Sequence, residues 1–267
     1  MRREKITSFQ IVCGVFAVIA LLLIGSNIGV IAFRGAKSIP ECILRPETRF
    51  AIALSLKSAC ISTCCCFVLS LPTAYLLTRG KLFGRGAIEM LLELTMGLPY
   101  IVIGLSLLIV FSSPFGRTLK ELGFPVVFSA NGVIIAQLVV NLPFAIMLVS
   151  SAFREVDQKL ERVAGLLGAK PLQQFCTILL PLCKKSLISA VILVWSRALG
   201  EFGATLMLVG VTRMKTETLP GSIYLDVSTN NLSGALASAF ILLLISAVSL
   251  GIANGVMRMN RKRSRYE

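Results

Sequence analysis

Histidine is absent from this 267-residue chain, and only 15% of its residues are charged. A soluble domain usually carries about 25% charged residues. Without histidine the chain lacks the commonest acid–base group and a leading metal ligand. No G-x-x-x-x-G-K-[ST] phosphate loop occurs either, so the chain is not expected to hydrolyse ATP itself. Tryptophan occurs once, and no aromatic and basic interleaving suits nucleic acid. Four of the eight cysteines, Cys60, Cys64, Cys65 and Cys66, crowd one apolar run. Cys60 and Cys64 share a helix face, but no second pair completes a four-ligand metal site. We read them as small packing residues, with no metal and no structural disulfide.

What the chain does have is apolar length. Hydrophobic residues make up 55% of it, and its mean hydropathy is +0.83. A bilayer span needs about 20 largely apolar residues. Six runs qualify: Gln10–Phe33, Phe50–Thr78, Ala87–Ser112, Ser129–Ala152, Ser186–Gly210 and Leu232–Met257. The first follows Arg2, Arg3 and Lys5 but shows no small-residue cleavage site, so it reads as a retained helix. The expected fold class is an all-α integral membrane protein of about six transmembrane helices. Residues 1–49 form a first helix and outer loop, 50–257 the core, and 258–267 a basic tail.

Charge sets the expected orientation. Arg2, Arg3, Lys5, Arg79, Lys81, Arg85, Arg154, Lys159, Arg162, Lys170, Lys184, Lys185, Arg258, Arg261, Lys262, Arg263 and Arg265 fall on one side. Those 17 cations stand against eight on the other: Arg34, Lys37, Arg45, Arg49, Arg117, Lys120, Arg213 and Lys215. The positive-inside rule makes the richer side, with both termini, cytoplasmic. The tail RMNRKRSR would contact anionic lipid.

The longest stretch outside these runs, 153–185, faces the cytoplasm on that reading. Within it Leu160, Val163, Ala164 and Leu167 recur at i, i+3, i+4 and i+7, the stripe of a short amphipathic helix over Asp157–Gly168. Glu155, Asp157 and Glu161 suit its N-terminus, Gly168 its C-cap, and Pro171 its stop. So short a helix needs a surface to dock on.

The segment ERVAGLLGAKPLQQFCTILLP resembles the coupling loop of ABC importer permeases, which has the form E-A-A, three residues, G, nine residues, I-x-L-P. Ala164, Gly168, Ile178, Leu180 and Pro181 fall at the matching offsets; Arg162 and Val163 replace the usual Glu and first Ala, and Glu161 offers an acidic group one residue earlier. Leu167, Ala169 and Pro171 belong to the same loop. SLKSACISTCCCFVLSLPTAYLLTRG, GLPYIVIGLSLL and FSANGVIIAQLVVNLPFAI are similar to other helices of that family. The resemblance implies a type I importer permease fold with a cytoplasmic coupling helix, and a partner ATPase dimer that holds ATP and Mg.

Within the fifth run, WSRALGEFGATLMLVG places Arg197 and Glu201 four apart, hence on one helix face. Charges there are costly and call for mutual pairing or pairs to neighbouring helices. RALGEFGAT followed by TETLPGSIY resembles molybdate permeases, with tungstate and sulfate/thiosulfate permeases sharing the first part. The family pattern further implies a homodimer and an extracytoplasmic oxyanion-binding protein. The expected pathway lining is Gly97, Pro99, Gly104, Asn131, Gln137, Asn141, Arg197, Glu201 and Thr205. Prolines 72, 99 and 143 suggest bent helices around it. An ion-gradient transporter using Glu89, Glu93 and Glu201 is the rival reading.

Overall fold

The computed structural model describes residues 8–80 and 82–263. Arg2, Arg3, Lys5, Lys81 and the tail residues 264–267 lie outside them, as do the side chains of 256–263. The described chain is helical. Helix α1 (Ser8–Cys42) lies along α12 (Leu232–Arg263) at one edge, and its middle is exposed along its whole length. Helices α2 (Pro46–Arg79), α6 (Ala130–Arg154) and α9 (Leu180–Leu199) form the centre.

The centre packs closely because its facing residues are small. Ser55, Ala59, Ser62, Cys66 and Ser70 recur every three or four positions on α2 and are all buried. Small residues let membrane helices approach without a hydrophobic drive between them. Cys66 thus packs as expected, while Cys60 and Cys64 are exposed. Local signals start the helices: Pro46 opens α2, and the Ser129 hydroxyl accepts from Gly132 N at 3.4 Å to cap α6.

Two expected spans take a different form. The third is not one kinked helix. It is α3 (Arg85–Gly97) and α4 (Tyr100–Ser112), set at 107° across Leu98 and Pro99. Each would be about 20 Å long, too short to cross alone. Pro99 has no N–H to continue α3 and disfavours helical backbone at Leu98. The fifth span starts earlier and breaks. Four-residue α8 (Pro171–Gln174) runs through a π-helical stretch, Phe175–Leu179, into α9, so Ile178, Leu180 and Pro181 lie on a helix rather than in a loop. The wide turn lets Leu180 N bond back to Phe175 O. α9 then stops at Leu199, and α10 (Gly203–Val209) resumes after a three-residue gap. Pro72 and Pro143 stay inside unbroken helices.

The remaining elements are α5 (Pro114–Glu121), α7 (Gln158–Leu166) and α11 (Leu219–Ser228). α7 sits at the end of the bundle where α2 and α6 finish; α11 packs on α12 and the start of α2.

Candidate functional site

The first site is the surface around α7. Asp157 Oδ1 accepts from Lys159 N at 2.9 Å and caps its start. At its end Ala169 N donates to Ala164 O and Gly168 N to Gly165 O, with Gly168 at φ +91°. This paired closure needs a left-handed residue, which glycine supplies without a Cβ clash. The expected Asp157–Gly168 helix therefore forms with both of its expected ends.

Its inner face is bolted down. Arg79, at the end of α2, donates through Nε to Glu161 Oε1 at 2.8 Å and through Nη2 to Phe153 O and Val156 O at 2.8 and 2.9 Å. Both charged side chains are about nine-tenths buried. Glu161 is thus committed within the chain and does not face a partner as the sequence reading had it. Arg162 and Val163 are exposed instead, beside Leu166 at 88% and Leu167 at 84%. Ala164 and Ala169 are half-buried, and Pro171 and Pro181 exposed. Among the described residues, almost nothing covers Leu166 and Leu167 at the end of the apolar face of α7.

The second site is where the two broken spans meet. A Cβ on Gly203, at the start of α10, would stand 3.1 Å from Tyr100 Cβ, at the start of α4. One at Gly104 would stand 2.6 Å from Ala204 O, so α4 and α10 cross nearly backbone to backbone. Because α9 ends at Leu199, Arg197 and Glu201 do not share a helix face, and they do not pair. Glu201 caps α10: Oε1 accepts from Ala204 N at 2.8 Å, and Oε2 from Thr205 N at 3.3 Å and from the Thr205 hydroxyl. A carboxylate at a helix N-terminus meets both the unpaired N–H groups and the dipole. Arg197 turns to aromatic rings. Its Nη2 donates to the Tyr100 hydroxyl, and its guanidinium carbon lies 5.4 Å from the Tyr100 centroid and 4.7 Å from that of Phe144.

The polar residues of α6 serve the break from behind. Gln137 Nε2 donates to Ala198 O at 2.9 Å, holding a carbonyl at the end of α9, while its Oε1 accepts from Ser62 Oγ at 3.2 Å. Asn141 Nδ2 donates to Gln137 O at 2.7 Å. Both residues are buried inside the chain, as are Gly104 and Thr205, so within one copy they build the wall. Asn131 Nδ2 donates to Pro125 O at 3.1 Å near the start of α6. Gly97 and Pro99 are exposed at the break itself.

Residues 67–264 match the family of binding-protein-dependent transport system inner membrane components. This chain belongs to that family. The permease is 35% identical over 214 residues to the molybdenum transport system permease protein ModB of Mycobacterium tuberculosis, covering 79% of this chain and 80% of that one. It is 31% identical over 212 residues to the sulfate transport system permease protein CysT of Escherichia coli, covering 79% and 76%. Its fold matches a chain of a bacterial alginate ABC transporter, solved with an alginate-bound periplasmic protein, at a TM-score of 0.73 and 16% identity over 94% of each. The permease is therefore a membrane-spanning transport subunit of an ABC importer, not an enzyme.

Three further carboxylates of the permease have arginine partners. Glu89 sits between Arg85 at 3.2 Å and Arg154 at 2.9 Å. At the end of the bundle away from α7, Arg213 bridges buried Glu217 and Asp226 at 2.8 and 2.7 Å. The Asp226 hydrogen bond leads in raising the Arg213 pKa above its ordinary value. The TETLPGSIY motif lies here: the Thr218 hydroxyl accepts from Gly221 N at 3.4 Å to cap α11, and Leu219 N donates to Ser55 Oγ at 2.8 Å. Sequence reasoning missed Arg79, Tyr100 and Phe144. Arg79 entered it only as a loop charge, while Tyr100 and Phe144 each follow a proline, Pro99 and Pro143, that drew the attention instead.

Proposed function

We propose that this permease imports molybdate across the cytoplasmic membrane as a homodimer. Two cytoplasmic ATPases would hold ATP and Mg, and an extracytoplasmic binding protein would deliver the oxyanion. The carrying observation is α7: an exposed apolar face on a helix bolted through Arg79 to α2 and α6. A groove on an ATPase is the surface such a helix needs. Closure of the ATPases on ATP pushes α7, and Arg79 passes the displacement to two central helices at once. The sequence's excess of basic residues in the set of loops that includes α7 supports a cytoplasmic placement for it.

Two features favour molybdate over sulfate. TETLPGSIY resembles molybdate permeases, and the molybdenum relative is the more similar of the two named above. Tetrahedral dianions differ little to a weak transmembrane pathway, so the binding protein carries most of the selection. The coupling residues are Arg162, Val163, Ala164, Leu166, Leu167 and Gly168; the pathway runs past the exposed break at Gly97, Pro99 and Gly200. The test is ATP hydrolysis by the complex reconstituted with its ATPase and binding protein, with and without Gly168→Pro. Molybdate-loaded binding protein should stimulate the wild type and not the variant. Stimulation by sulfate alone would keep the mechanism and reject the substrate.

A further inference from the structure

Arg197 is a cation inside an apolar span, and among the described residues no carboxylate pairs with it. The nearest in sequence, Glu201, turns both oxygens onto α10. Arg197 Nε is buried and has no acceptor. Tyr100 and Phe144 shield the guanidinium through their ring faces, which lowers the cost of the charge but does not neutralise it. Nor do rings take up the in-plane N–H donors of the guanidinium fork.

Tyr100 extends the donor set. Its hydroxyl accepts from Arg197, so its own proton points elsewhere, and no described acceptor takes it. Tyr100 is also the first residue of the 13-residue α4, whose N-terminus has no side-chain cap. The opening N–H groups of a helix carry partial positive charge. Gly97, Leu98, Pro99 and Gly200 beside it are exposed, so the place opens on the surface of the chain.

We propose that Arg197, the Tyr100 hydroxyl and the start of α4 form a transient docking point for a tetrahedral oxyanion dianion midway along the pathway. The proposal rests on the importer reading above and adds where in the membrane the anion pauses. A single arginine gives a weak site, which suits a path that must release its cargo. Aromatic walls hold the fork in place between transport cycles, so no carboxylate competes with the anion.

The experiment measures molybdate taken up per ATP hydrolysed by proteoliposomes holding permease, ATPase and binding protein. R197Q should lower that ratio about tenfold or more and Y100F about threefold to tenfold, as expected for loss of hydrogen bonds to a charged group. R197K, which keeps the charge but not the fork, should fall between wild type and R197Q. An arginine that merely holds α9 in place would lower uptake and hydrolysis together; wild-type ratios in R197Q and Y100F overturn the docking point alone. If R197Q does not assemble, Y100F decides by the same ratio, since it keeps the charge and the ring. A wild-type complex that moves no molybdate, tungstate or sulfate overturns the importer reading and this proposal with it.

Discussion

Removing the Glu161 carboxylate tests the bolt beneath α7. In Glu161→Ala, Arg79 keeps its bonds to Phe153 O and Val156 O but loses its only described carboxylate partner. Breaking a buried ion pair from one side costs about 3–5 kcal/mol. The two surviving carbonyl bonds still satisfy part of the guanidinium, so we expect less than that, about 2–3 kcal/mol. Such a loss is roughly a 30- to 150-fold change in the folding equilibrium. Replacing both partners, as in Arg79→Met with Glu161→Leu, should recover most of the stability, because an apolar pair leaves no stranded charge. It should not recover transmission, because the ties to α6 are gone. The assay is a double-mutant cycle on the purified permease–ATPase complex, read by denaturation and by binding-protein-stimulated ATP hydrolysis. A coupling energy below about 0.5 kcal/mol, the usual error of additive sites, would refute the bolt.

Three further outcomes follow from the same geometry. Gly168→Ala forces a side chain to φ +91° and should cost about 1 kcal/mol, seen as a lower denaturation midpoint and weaker stimulation. Leu166→Asp, at a residue 88% exposed, should change permease stability by less than about 0.5 kcal/mol while weakening ATPase capture at least tenfold in a pull-down titration. Glu201→Ala removes the cap of α10 and should cost about 1–2 kcal/mol in denaturation of the complex; Glu201→Gln, which can still accept from Ala204 N, should cost less.

Much of this protein was legible in one dimension. Length and apolarity alone marked the spans, because a bilayer imposes a fixed thickness on any helix that crosses it. The coupling helix was legible to within a residue or two at each end, since an N-cap aspartate and a left-handed glycine act on their own turn of backbone. The partner choices were not legible. Arg197 and Glu201 are four apart and would pair on a continuous helix, but the chain stops α9 between them. That stop is met from more than 50 residues away by Gln137, which donates to Ala198 O at the end of α9 and is itself held by Ser62. Glu161 looked available to a partner until the end of α2 brought Arg79 against it. Spacing along the chain determined which residues could form helices and, where a cap acts on its own turn as at α7, where a helix ends. Only the packing of helices distant in sequence decided which charges are neutralised inside the chain and which, like Arg197, remain open, because a buried charge takes whichever partner the fold brings within about 4 Å.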